Sequence, residues 1–515
     1  MKKWLVFDKE TDSFDGKPVA PFIWGWKSST GDEGITWSRG EFWDMIRNFD
    51  GIALAHNGGK FDIVLAADQY DKGEIKIING RVAEVSVGKC KLRDSFLILP
   101  APLKAAGQKD NFDYEILNRN KKHLRRKHAR EIEDYLRQDC VALYNMVERF
   151  YETHGQRLTQ AGAALACWEG MGGTPRRWGG VHDATFRQFY YGGRCQAFKR
   201  GALGDGWLYY DIKSSYPNAM QAEHTACHLN DYWIHNDITK ITPQSFARIY
   251  ARSKGCLPQR GKYATEYPHD SSPQFYFATG WEIIAGLETN TLEIIEAVIY
   301  RPSEHESLKP YTDKFYQDKL EAEKHGDSVG RLIAKIFLNS LYGKYGSNAD
   351  EYKKYYLVDA GENKKACELY AEVGELDIVH RPDGGQFFDV ALAASVTGYA
   401  RAHLFKNMLT AKDVVYCDTD SIICKGGKFD IGENIGQWEL ENTLDNFHVA
   451  GKKLYAGQNQ RGDWITAHKG FSGLDTDHAN IIRAALGDTV MIERSAPSIN
   501  VAGQQKFINR RMKRT

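Results

Sequence analysis

Asp8 and Glu10 stand two residues apart behind the apolar run Trp4-Leu5-Val6-Phe7. That spacing puts both carboxylates on one face of a strand. Two acids side by side at the end of a buried strand repel each other unless a cation sits between them, and Mg²⁺ or Mn²⁺ prefers such oxygen ligands. A solvated strand end would look the same, so the pair alone decides nothing. Two further clusters change the weighing. Asp62 follows the turn Asn57-Gly58-Gly59-Lys60-Phe61, and Tyr135 and Asp139 stand four apart, on one face of a helix. Four carboxylates can hold two divalent ions about 4 Å apart and clamp an in-line displacement at phosphorus. The Tyr135 hydroxyl would then orient the attacking water, although Tyr-x-x-x-Asp taken alone is a common surface pattern.

The second half of the chain offers a similar set. Asp211 ends the apolar run Trp207-Leu208-Tyr209-Tyr210, and Asp418 and Asp420 flank Thr419 in Tyr416-Cys417-Asp418-Thr419-Asp420-Ser421. An acid at a strand end and two on a neighbouring hairpin make a second candidate two-metal site, suited to nucleotide addition. Between them, Arg331, Lys335, Asn339 and Tyr342 form one stripe of a helix, opposite apolar Leu332, Ile333, Phe337 and Leu341. Two cations, an amide and an aromatic ring suit a triphosphate and a base. A solvated face of an amphipathic helix is the plainer alternative.

The elements that must position these residues are legible in outline. Trp4–Phe7 and Gly51–Ala55 read as strands, and apolar spacing between Arg130 and Glu152 predicts a helix, together an α/β first domain of about 150 residues. Gly- and Trp-rich sequence from Trp168 to Gly180 reads as a linker. The pattern from Tyr311 to Tyr342 is helical, broken near Gly326 and Gly330, and Val414 to Ile423 reads as a hairpin with its acids at the turn.

Read together, these segments resemble a known family. Asp8-Lys9-Glu10, Asn57…Phe61-Asp62 and Tyr135…Asp139 look like the exonuclease motifs of DnaQ-like proofreading domains, in order. Asp211-Ile212-Lys213-Ser214-Ser215-Tyr216-Pro217, Lys335…Asn339-Ser340-Leu341-Tyr342-Gly343 and Tyr416…Asp420-Ser421 resemble the polymerase motifs of family B DNA polymerases. The resemblance implies an RNase H-like 3′→5′ exonuclease followed by a right-hand polymerase, a multidomain α/β and α+β fold. It implies that Asp8, Glu10, Asp62 and Asp139 hold two Mg²⁺ or Mn²⁺ ions in one site, and that Asp211 and Asp420 do so in the other, with Asp418 in support. Asn57 and Phe61 would grip a single-stranded 3′ end, and Ser95 would belong to a second single-strand motif in which Phe96 replaces the usual leucine. Arg331 and Lys335 would hold the triphosphate, Asn339 and Tyr342 would line the nucleotide pocket, and Tyr216 would exclude a ribose 2′-hydroxyl, so that dNTPs are the substrate.

Tyr190-Tyr191-Gly192-Gly193, Thr397-Gly398-Tyr399-Ala400-Arg401 and Lys453-Leu454-Tyr455 resemble motifs of the small protein-primed bacteriophage branch. That implies DNA contacts for Tyr190, Gly192, Gly193, Thr397, Arg401, Lys453 and Tyr455. The long stretches 217–331 and 346–391 match the places where that branch carries two insertions, one meeting a terminal protein and one closing a ring around the template. The expected order is exonuclease 1–150, linker 151–188, palm 189–221, first insertion 222–310, fingers 311–346, second insertion 347–390, palm 391–450 and thumb 451–515. Expected partners are primer-template DNA, dNTPs and a terminal protein. A terminal-protein hydroxyl, a nucleic-acid primer and an unprimed start are each compatible with these motifs.

Bulk properties constrain less. Lys plus Arg number 68 against 67 acids, a net charge of +1, so any polyanion contact must be local. Lys121–His128 and Asn509–Arg514 are the dense basic runs. The nine cysteines form no C-x-x-C pair, which fits a reducing cytoplasm, that of a bacterial host if the chain is viral. No stretch approaches the roughly 20 apolar residues of a membrane span, and the opening residues do not read as a signal peptide. Two rival readings use the same residues: a 3′→5′ exonuclease whose second half only grips DNA, and a non-catalytic DNA-binding or assembly protein. The second would leave both carboxylate sets buried without purpose, which is costly.

Overall fold

The strand Trp4–Thr11 is the spine of the N-terminal half. It pairs antiparallel with Pro21–Ser28 and parallel with Ile52–Ala55, which continues parallel to Cys90–Asp94. The protein is described by a computed structural model covering residues 1–12, 17–103, 112–118, 122–174, 176–348, 351–362, 364, 366–383, 388–468 and 477–514, with backbone alone at 477, 492–497 and 507–514. Leu5, Val6 and Phe7 are fully buried, as a parallel pairing covered on both faces requires. The helix Ala129–His154 lies over this sheet and buries Ile132, Leu136, Cys140, Leu143 and Phe150. It comes in close at Gly25, where a Cβ would sit 3.0 Å from Leu136 Cγ.

The sheet does not end with the N-terminal half. Its ten strands include Lys353–Asp359, Glu368–Val373 and Leu376–Pro382. Lys353–Asp359 pairs antiparallel with Gly73–Ile78, placing Tyr355 opposite Ile75. The stretch expected as a second insertion thus extends the N-terminal sheet.

A second sheet of eight strands is centred on Trp207–Ile212, which lies between Ser421–Cys424 and Trp438–Gly451. The helices Lys309–Lys324 and Ser328–Tyr345 pack on each other and on the short helix Ser215–Gln221 that follows its central strand. They part at Gly326 (φ +67°), while Gly330 lies inside the second helix, its N–H donating to the capping Asp327 at 2.8 Å. The expected break at Gly330 is therefore corrected. Trp168–Gly180 is also less of a linker than its composition suggests: the helix Gln160–Gly170 begins it, and Trp168 is buried against Tyr311.

Residues 222–310 build a separate four-stranded antiparallel sheet, ordered Tyr232–His235, Leu292–Pro302, Phe246–Ser253, Gln274–Thr279, followed in chain order from its last strand by the helix Gly280–Glu288. The helix Val390–Thr410 runs through the middle of the molecule and is buried on nearly every face. One apolar core joins the halves, from Trp4 and Val6 through Phe150 to Tyr311, Phe337 and Val396. Each such side chain contributes about 1.5–3 kcal/mol by leaving water. Near the end of the chain, Val490–Ile499 and Gln505–Arg514 form a long hairpin whose turn returns to the first domain. There Val501 and Ala502 join the N-terminal core, and Gln505 exchanges two hydrogen bonds with the backbone of Val19, at 2.7 and 3.0 Å. Among the described residues, no helix is long and apolar enough to cross a membrane.

Candidate active sites

The N-terminal acids meet at the end of the strand Trp4–Thr11. Asp62 is brought there by a tight turn. Asn57 takes the left-handed conformation (φ +58°), and Gly59 leaves no room for a Cβ, which would sit 2.2 Å from the Val82 carbonyl oxygen. Arg81 braces the turn, donating to Asn57 Oδ1 at 2.8 Å and to Asp94 at 2.5 Å. Asp62 and Asp139 are buried, 3 % and 5 % exposed. Burial holds the Asp8 carboxyl well above the usual range, helped by Asp62, Asp139 and Glu10. Burial likewise pushes Asp62 up to about 6, although Lys9 pulls it down. Asp8 therefore feels the charge of each of the other three acids. Asp62 Oδ1 is buried with no hydrogen-bond partner. An orphaned carboxylate oxygen among mutually repelling acids fits a divalent cation. Among the described residues no three His, Cys, Asp or Glu side chains make a metal cage by themselves. Mg²⁺ needs none, since it is held by one or two carboxylates with water and substrate oxygens.

Tyr135 faces this site in company that the sequence did not reveal. Its ring stacks on Phe112 at 4.3 Å, and its hydroxyl shares a hydrogen bond with Tyr114 at 2.8 Å. These are extra aromatic walls, with Tyr114 61 % exposed. Ser95 is placed differently from expectation. Fully buried, it donates to the Ala55 carbonyl at 3.2 Å and meets His56, so it fixes the loop and is not presented to DNA. Of the basic run, Arg125 is buried in an ion pair with Asp12, while Lys122, Arg126 and Lys127 are exposed; Lys121 and the side chains of Asn509–Arg514 lie outside the described residues.

In the second site Asp211 lies opposite Ser421 on one side and Glu439 on the other. Burial raises the Asp211 carboxyl to about 8, with Asp420, Glu441 and Glu439 adding to the rise and Lys335 opposing it. Asp420 is raised to about 6, again by burial first and then by Asp418. This donor set also fits a cation. Glu439 and Glu441 were missed from sequence, yet Trp438-Glu439-Leu440-Glu441 has the same alternation as the first acid pair. Lys213 bridges Glu433 at 2.6 Å and Glu439 at 2.8 Å. The turn between Asp418 and Asp420 is strained at Thr419 (φ +59°), whose N–H donates to the Arg194 carbonyl at 2.6 Å. Gly193 packs directly on it: a Cβ there would meet Thr419 Oγ1 at 2.5 Å. Gly193 thus acts through the turn, whereas Gly192 has open space around it and Tyr190 abuts Gly346.

The helix stripe is as expected. Arg331, Lys335 and Asn339 are exposed on one face, and Tyr342 stacks on Tyr216 at 4.5 Å. Arg331 pairs with Glu323 at 2.7 Å, and Asn339 donates to the Lys335 carbonyl at 2.8 Å. Lys453, in the left-handed region (φ +54°), places its ammonium 2.8 Å from Asp418, and buried Tyr455 packs edge-on against Tyr416.

Two residues expected at DNA are instead internal. Thr397 is buried and donates to the Ala394 carbonyl at 3.2 Å. Arg401, 2 % exposed, pairs with Glu282 at 2.7 Å and donates to the carbonyls of Tyr191 and Gly192 at 2.6 and 3.0 Å. Their helix is enclosed around Arg401, which holds the Tyr190–Gly193 segment from within and does not reach solvent.

Comparison with known proteins adds the lineage. Residues 108–378 match the family described as DNA polymerase type B, organellar and viral. The chain is 32 % identical to the DNA-directed DNA polymerase of Enterobacteria phage PRD1, over 100 % of this chain and 98 % of that one. It is 25 % identical to the DNA polymerase of Bacillus phage Nf over 53 % of this chain and 49 % of that one. Among solved structures, Phi29 DNA polymerase with primer-template DNA and incoming nucleotides superposes with a TM-score of 0.73 at 16 % identity, covering 100 % of both chains.

Proposed function

Because the chain belongs to the organellar and viral type B DNA polymerases and is a DNA-directed DNA polymerase, we propose that its two acid sites divide synthesis from proofreading. The rival reading, a nuclease whose second half only grips DNA, gives way to that membership. The right-hand division into exonuclease, palm, fingers and thumb, with the boundaries set out above, is part of the proposal. The observation that carries it is the pair of separate carboxylate clusters, one around Asp8 and Asp62, the other around Asp211 and Asp420, each raised by burial and mutual repulsion.

Asp211 and Asp420 would hold two Mg²⁺ or Mn²⁺ ions, and Asp8, Glu10, Asp62 and Asp139 two more. When bound, such ions lower the pKa of the attacking hydroxyl or water and neutralise charge on phosphate oxygens. Lys335 meets the incoming triphosphate, as its pull on Asp211 indicates, and Arg331 joins it after leaving Glu323. Tyr216, held by its stack on Tyr342, fills the space beneath the sugar and excludes a 2′-hydroxyl. Lys453 and Tyr455 steady the primer end next to Asp418. In the first site, Asn57 and Phe61 take the frayed 3′ end, and Tyr135 orients the water.

Two larger features extend the reading. The sheet of residues 222–310 exposes Ile234, Phe275 and Val298 on one side, 65, 51 and 37 % exposed, a face suited to a protein primer. The strand pairing of Lys353–Asp359 with Gly73–Ile78, and the Gln505–Val19 contact, tie the second insertion and the C-terminal hairpin to the first domain. A ring closed in this way supports strand displacement on viral or plasmid-type DNA in a bacterial cytoplasm.

The test is separation of the activities. Asp8→Ala with Asp62→Ala should abolish 3′-end degradation, a loss of at least about a hundredfold, and leave primer extension intact. Asp420→Ala should do the reverse. Loss of both activities from the first variant, or retained synthesis in the second, would refute the assignment.

A further inference from the structure

The residue between the first two acids is a lysine, and it is buried. On a strand the residue between Asp8 and Glu10 turns to the opposite face. Here that face is interior, and Lys9 is 4 % exposed. Its ammonium donates to the backbone carbonyl of Asp62 at 2.6 Å, and its own N–H donates to Asp8 Oδ1 at 2.9 Å. One residue therefore holds two acids that lie far apart in the chain. The charges facing Lys9 are Asp62 and Asp8 in front and the Arg39–Asp68 pair, 2.6 Å apart, behind. A buried ammonium is costly unless it is paired, and an apolar side chain would fill the same space without that cost.

We propose that Lys9 is a positioning residue of the first site: it pins the Asp62 backbone and sets its ammonium behind the acids. Asp62 Oδ1, buried and without a partner, is thereby kept directed at the cation side. Lys9 touches neither substrate nor ion, and it works as the partners behind metal ligands do elsewhere, by fixing orientation and charge. The inference rests on the exonuclease reading of that site.

The test uses the full chain in an Asp211→Ala, Asp420→Ala background, so that Mn²⁺ binding reports the first site, and adds Lys9→Met, Lys9→Gln or Lys9→Arg. Mn²⁺ alone is titrated and the free ion followed by electron paramagnetic resonance. Lys9→Met should weaken Mn²⁺ binding roughly ten- to hundredfold. With the second site restored, it should raise the Mn²⁺ needed for half-maximal 3′-end degradation by a similar factor, with the KM for single-stranded DNA and primer extension unchanged. Lys9→Arg, which keeps charge and donor, should recover part of the affinity. Unaltered Mn²⁺ affinity in Lys9→Met overturns the proposal, even if degradation slows, because a merely structural role would leave affinity alone. Should Lys9→Met also lose primer extension, Lys9→Gln decides by the same titration: wild-type affinity there overturns the proposal. A parent chain that neither shortens 3′ ends nor loses Mn²⁺ binding on Asp62→Ala fails at the exonuclease reading itself, a result separate from an insensitive Lys9.

Discussion

Asp62 shows how the chemistry of a single residue sets itself against stability. Without a cation its carboxyl is pushed from an ordinary 3.8 up to about 6. A value raised in the folded state means that the protonated form favours folding. That contribution is complete below about pH 4 and is lost as pH rises through 6. Asp62→Asn should therefore melt higher than the parent at pH 8 in chelator, by roughly 2 °C, with no difference at pH 4. Added Mg²⁺ should narrow the gap by binding the native parent. A parent that melts above the variant at pH 8 in chelator would contradict the account. In the sequence, the acids were legible because each sits in a short contiguous pattern whose spacing fixes a shared face. The place of Arg401 was not, because the motif that contains it was read as a DNA contact, and only packing shows that its side chain is buried.

At the scale of elements, the hairpin that carries Asp418 and Asp420 is held from behind by the Tyr190–Arg194 segment. Gly193→Ala would put a methyl 2.5 Å from Thr419 Oγ1, so the strained turn has to move. Primer extension should slow roughly tenfold or more with 3′-end degradation unchanged, since displacements near 1 Å at a reacting centre are worth up to about a hundredfold. Unchanged single-turnover incorporation would remove Gly193 from this role. The same segment is tied to the helix Gly280–Glu288 through Arg401 and Glu282. Arg401→Met leaves Glu282 buried and unpaired and should cost about 3–5 kcal/mol in denaturant unfolding. Adding Glu282→Gln should recover much of that; a double variant as unstable as the sum of the two singles would show that the pair is not coupled. The helices Ala129–His154, Lys309–Lys324 and Ser328–Tyr345 and the hairpin around Asp418 were readable from apolar periodicity, whereas Gly280–Glu288 lay in a stretch with no clear pattern. The destination of residues 353–382 was not, because their partner strand Gly73–Ile78 lies far away in sequence and periodicity carries no information about long-range pairing.

For the whole molecule, the family could be read from motifs, and a ring-closing insertion was expected at 346–391 from length alone, but not which strands it would join. Two contacts make the closure: Lys353–Asp359 against Gly73–Ile78, and Gln505 against Val19. Both bring late segments of the chain back onto the N-terminal sheet, and one apolar core runs from that sheet to the helices of the second half. A frame closed this way predicts that the chain keeps hold of its template and opens duplex ahead of it unaided. Primer extension on a long single-stranded circle, with Mg²⁺, dNTPs and no accessory protein, tests this most directly. Products longer than one circle are expected. Synthesis that halts on reaching the primer's 5′ end would contradict the closed frame as a strand-displacing device, and a primer that is only shortened would contradict the assignment of Asp211 and Asp420 to synthesis.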